Sequence, residues 1–70
     1  MNTQQNNADL IKTSTVITGG MARTINITDI DTAFRDLRRI DGMRAFAKSD
    51  SNMRLIAKHI VDCGPGQYTF

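Results

Sequence analysis

The chain predicts a small single α+β domain: a β-hairpin followed by two α-helices (ββαα), with a short C-terminal tail. Three observations carry that reading. Runs rich in Val, Ile and Thr flank Gly19-Gly20, and strand-forming residues on either side of a glycine pair signal a hairpin. Two later stretches repeat apolar residues at helical spacing, each behind residues that cap helices. Gly64-Pro65-Gly66 then stops the second helix and leaves four residues beyond it.

Residues 1–9, MNTQQNNAD, are polar and without a period, so they are expected to form a flexible N-terminal arm. The domain is expected over residues 10–63 and the tail over 64–70. In the hairpin, a three-residue loop of Thr18-Gly19-Gly20 pairs Ile17 with Met21, Thr15 with Arg23, Thr13 with Ile25 and Ile11 with Ile27. That register gathers Ile11, Ile17, Met21, Ile25 and Ile27 on one face. A two-residue loop sets Ile17 opposite Ala22 and scatters the isoleucines over both faces, so the three-residue loop is preferred.

Thr28 or Asp29 caps the first helix, and Ile30, Ala33, Phe34, Leu37 and Ile40 form its apolar stripe. Asp41-Gly42 ends or bends it, with Met43, Phe46 and Ala47 available for one more apolar turn. Ser49-Asp50-Ser51-Asn52 places four capping residues before the stripe Met53, Ile56, Ala57, Ile60 and Val61. The tail Gln67-Tyr68-Thr69-Phe70 either folds back as a short edge strand or docks on a partner. Folding back is preferred, because chain ends seldom carry aromatics for solvent.

A domain of 70 residues buries only about 60% of the surface its unfolded chain exposes. Cys63 is the sole cysteine and His59 the sole histidine, which excludes an internal disulfide and argues against a metal. Oligomerisation, as a homodimer, becomes the first suspicion. No apolar run approaches the ~20 residues of a membrane span, and the first residues lack the order of a signal peptide. With one free thiol, the expected setting is the cytoplasm. Net charge is +2 and all seven acids are Asp. The pI of about 9.1 permits a nucleic-acid partner without arguing strongly for one.

His59 and Cys63 share a helix face at i, i+4. A thiolate–imidazole pair or half a metal site is the sharp reading, but an exposed His and an inert Cys is preferred. A 70-residue chain offers little room for a positioned pocket, so no enzyme activity and no cofactor are expected. Neither Gly19-Gly20 nor Gly64-Pro65-Gly66 opens a helix, so neither forms a phosphate loop.

Basic residues gather in the helical half: Arg35, Arg38, Arg39, Arg44, Lys48, Arg54 and Lys58. Local acids are spaced to offset several of them, Asp31 with Arg35, Asp36 with Arg39 and Asp50 with Arg54. Arg38 and Arg44 have no such neighbour. Together with Tyr68 and Phe70 they are the candidate protein-binding residues.

Arg23-Thr24-Ile25-Asn26-Ile27-Thr28 alternates apolar and polar. A polar strand face followed by two amphipathic helices resembles the ribbon-helix-helix family of DNA-binding regulators over Met21 to Cys63. The resemblance implies a dimer in which Thr24, Asn26 and Thr28 read bases, while the Ser49–Asn52 amides, Ser51 and Asn52 among them, hold phosphate. Two features depart from that pattern: Gly42 lies seven residues before Ser49, and the preceding strand offers a hairpin partner within the same chain.

The expected function is therefore a non-enzymatic binding module acting on a larger protein, as an inhibitor, adaptor or assembly accessory of the phage or mobile-element type. A dimeric DNA-binding regulator is the alternative.

Overall fold

The computed structural model describes residues 12–70. The expected arm and the expected pairing of Ile11 lie outside the described residues. Strands β1 (Thr13–Thr18) and β2 (Met21–Asn26) form the hairpin, and three helices follow: α1 (Ile30–Arg38), α2 (Asp41–Ala47) and α3 (Asp50–Cys63). A third strand, β3 (Gln67–Thr69), completes a sheet of order β2-β1-β3. The α+β class and the hairpin match the sequence reading; the third helix and the third strand extend it.

The hairpin register differs from the one expected. Thr18 pairs with Met21 and Ile17 with Ala22, so the loop is Gly19-Gly20 alone. Both glycines have positive φ, 56° and 80°, the backbone that a two-residue turn matching the strand twist requires. This register turns Ser14, Val16 and Thr18 inward and leaves Ile17 half-buried on the opposite face. Met21 is 58% exposed.

Gathering isoleucines was the wrong criterion because the inward polar groups are accommodated. Ser14 Oγ donates to the Gly64 carbonyl at 3.3 Å and accepts the Gly66 N–H at 3.2 Å. Among the described residues no buried side-chain polar atom lacks a partner, so the desolvation cost of an orphaned hydroxyl does not arise.

The tail folds back as an edge strand. β3 runs parallel to β1, with Val16 beside Tyr68 and Ile17 beside Thr69. Thr15 N–H donates to the Gly66 carbonyl and Phe70 N–H to the Ile17 carbonyl, both at 2.9 Å.

Helix α1 starts at Asp29, whose carboxylate accepts the Thr32 N–H at 2.8 Å. Ile40, in extended conformation, separates it from α2, so the expected extra apolar turn is a helix of its own. Lys48, with φ 72°, ends α2 in the left-handed conformation. Ser49 Oγ then accepts the Asn52 N–H at 3.2 Å and opens α3.

The helices cover one face of the sheet. Val16, Ile25 and Ile27 meet Leu37, Met43, Met53 and Ile60 in one buried core, each such side chain contributing about 1.5–3 kcal/mol. The other sheet face is open: by strand alternation it carries Thr13, Thr15 and Ile17 of β1, Ala22 and Thr24 of β2, and Thr69 of β3. Among the described residues, no helix is long and apolar enough to cross a membrane.

Candidate functional site

Arg38 on α1 and Arg39, the residue that caps its C-terminus, stand three and four residues after Arg35, so the three share a side of that helix. The extended residue Ile40 redirects the chain, and α2 then presents Arg44 to the same place. These four exposed arginines line a recess of about 330 Å³.

What makes the recess strongly positive is where the acids go. The expected pairs Asp31–Arg35, Asp36–Arg39 and Asp50–Arg54 are not formed. Instead Arg54 Nη1 meets Asp31 Oδ1 at 2.7 Å, Arg38 Nε lies 3.6 Å from Asp50 Oδ1, and Lys58 Nζ meets Asp62 Oδ2 at 2.8 Å. Two of these contacts join the start of one helix to a later point on the other, as expected for α1 and α3 packed antiparallel. Asp36 is also withdrawn: its Oδ2 accepts the Asn26 N–H at 2.9 Å. Arg35, Arg39 and Arg44 therefore have no ion pair among the described residues.

Phe34 adds to the arrangement. Its ring lies 4.5 Å from the Arg54 guanidinium and 5.5 Å from that of Arg38, both within the range of cation–π attraction. These contacts hold Arg38 and Arg54 against α1. Asp29, at the far end of α1, has its carboxyl held below the usual carboxylate range, chiefly by the Thr32 backbone N–H and then by the Thr32 hydroxyl. Arg35 adds a smaller attraction.

Of the residues expected to contact a protein, Arg38 and Arg44 meet at this recess, Arg38 already leaning on Asp50. Tyr68 and Phe70 do not join them as free side chains. The Tyr68 hydroxyl donates to the Gly64 carbonyl at 2.6 Å and its ring stands edge-on to His59 at 6.2 Å. Phe70 packs against Phe46 with ring centres 5.3 Å apart. Both are half-buried against the core.

The residues of the nucleic-acid alternative fall on two layers of the domain. Thr24 and Asn26 belong to β2, which pairs with β1 of the same chain, and the Asn26 side chain accepts the Thr28 N–H at 2.8 Å. Ser51 and Asn52 sit in the first turn of α3, where Asn52 Nδ2 donates to the Ala47 carbonyl at 2.8 Å.

Cys63 Sγ lies 3.8 Å from both ring nitrogens of His59. Among the described residues no three metal-ligating side chains come together.

Sequence reasoning missed Arg35 and Arg39 as members of the recess, because it spent their charges on neighbours along the helix. It also missed Leu55, exposed on α3 beside a groove of about 840 Å³ with Ile30, Arg54, Lys58 and Val61. The signal for Leu55 was present: it falls off the Met53–Ile56–Ile60 stripe.

Set against protein-family models, curated proteins and solved structures, the chain matches none.

Proposed function

We propose that the chain is a small non-enzymatic binding module that docks on a larger protein, taking an acidic segment of that partner at the Arg35–Arg38–Arg39–Arg44 recess. The observation that carries this reading is the convergence of four arginines on one recess, three of them without an ion-pair partner among the described residues. Guanidinium groups pair with carboxylates in a two-pronged geometry that lysine does not offer. A single exposed pair is worth only about 0–1 kcal/mol; several guanidinium groups around one site act on the same anionic segment.

A protein partner is favoured over a nucleic acid by the distribution of charge. Asp41 and Asp50 lie beside Arg44 and Lys48 at one adjoining recess, and Asp36 beside Arg23 and Arg39 at another, so acids interrupt the positive charge on both sides. A nucleic-acid backbone, with a charge every few ångströms, rewards a longer basic track. Inhibition, bridging or assembly of the partner are the roles open to such a module. The exposed thiol of Cys63 fits a reducing cytoplasm. Homodimerisation, proposed from chain length, is read separately from the molar mass by light scattering.

The test compares the full chain with the Arg39→Gln/Arg44→Gln variant as paired baits in affinity capture, with and without nuclease. A protein that is retained by the first and lost by the second, regardless of nuclease, supports the reading. Capture of nucleic acid alone overturns it.

A further inference from the structure

The recess has more positive charge than a carboxylate can balance. Arg35, Arg39 and Arg44 are exposed and without an ion pair among the described residues, and Arg38 is held by Asp50 only at 3.6 Å. One glutamate brings a single negative charge and two oxygens. A phosphate monoester brings a charge near −2 and three terminal oxygens, each able to accept from a guanidinium.

We infer that the recess lined by Arg35, Arg38, Arg39 and Arg44 binds a phosphorylated side chain of the partner protein. The inference rests on the proposed docking of an acidic protein segment and adds which anion occupies the site.

The geometry suits a single dianion. The arginines come from two directions, three from α1 and its C-cap and one from α2 across the break at Ile40. They line an open recess of about 330 Å³, which has room for one tetrahedral group. Asp36, the acid nearest along α1, is engaged by the Asn26 N–H on the sheet side. No ordering of a loop is needed first, since both helices are in place.

The test is calorimetric titration of the full chain with four versions of one acidic peptide, carrying phosphoserine, glutamate, serine or alanine at its centre. Inorganic phosphate and a duplex oligonucleotide serve as separate ligands. The phosphoserine peptide is expected to bind at least about tenfold more tightly than the glutamate peptide. That preference should vanish in Arg39→Gln/Arg44→Gln and persist in Lys58→Gln, which changes a basic residue outside the recess.

Equal binding of the phosphoserine and glutamate peptides overturns the phosphate inference and leaves the acidic-segment reading standing. Binding of neither overturns both. Inorganic phosphate binding as tightly as the phosphopeptide overturns the protein-borne source. Tighter binding of the oligonucleotide replaces the proposal with nucleic-acid recognition. A circular dichroism melt of each variant separates lost contacts from lost fold.

Discussion

Gly42 of α2 rests directly on Thr18 of β1: a Cβ added at Gly42 would fall 2.7 Å from the Thr18 Cβ and closer still to its hydroxyl. This contact sets the distance between α2 and the sheet at the hairpin end. It also inverts the usual rule for glycine in a helix, where alanine is better by about 0.8–1 kcal/mol. Gly42→Ala is expected to destabilise the protein by about 1–3 kcal/mol through overpacking. Chemical denaturation checks it, and a double-mutant cycle with Thr18→Ala should show a cost smaller than the sum. A stabilised Gly42→Ala would mean that α2 yields freely.

The same contact explains part of what the sequence conceals. Asp41-Gly42 carries the composition of a helix stop, and the structure instead begins a helix there because Ile40 alone supplies the break. The long stripes of α1 and α3 are legible, since Leu37 and Ile60 must share a side with their neighbours at helical spacing. Register is not legible in the same way. With Ile17 and Val16 adjacent, either face of β1 has an apolar residue to bury, and two glycines permit either loop. Only the long-range bonds from Ser14 to Gly64 and Gly66, some fifty residues away, show why the face with the serine is inside.

Those bonds lead to a second prediction. Ser14 Oγ ties β1 to the turn preceding β3, and the Gly66 N–H depends on it. Ser14→Ala removes that acceptor from the exposed Gly66 N–H, at a cost of about 0.5–1.5 kcal/mol. The loss should be local as well as global. Amide exchange at Gly66, Tyr68 and Phe70 is expected to accelerate more than exchange in α1. Uniform acceleration would show that β3 is held by other means.

Acid stability offers a third test. The Asp29 carboxyl titrates below the ordinary value of 3.8 because the ionised form accepts the Thr32 N–H. A depressed folded pKa means that the unfolded chain takes up the proton first as pH falls. The stabilisation is therefore fully present above the unfolded value and lost as pH drops through the lower folded one, so the window lies below about pH 4. Asp29→Asn keeps a capping side chain but removes the titration. It is expected to flatten the decline in melting temperature in that window while leaving neutral stability little changed. An unchanged acid limb would assign the decline to other carboxylates.

The charges legible along the helices belong to pairs across them, and this is where sequence reasoning failed for the candidate site. Spacing identifies Asp31 and Arg35 as neighbours, but spacing cannot report that antiparallel packing brings Arg54 to Asp31 at 2.7 Å. With Asp31 drawn to Arg54 and Asp50 to Arg38, Arg35, Arg39 and Arg44 are left without an ion pair among the described residues and repel one another. The recess should therefore behave as a site that does not serve stability. Arg44→Gln is expected to alter stability by no more than about 0.5 kcal/mol, with any gain shrinking as salt screens the repulsion it relieves. Arg54→Gln is expected to cost about 0.5–1.5 kcal/mol, because it loses both Asp31 and the Phe34 ring. Thermal melts at low and high ionic strength separate the two. If Arg44→Gln destabilised as much as Arg54→Gln, the recess would be part of the fold's own support, and its arginines would not be free for a partner.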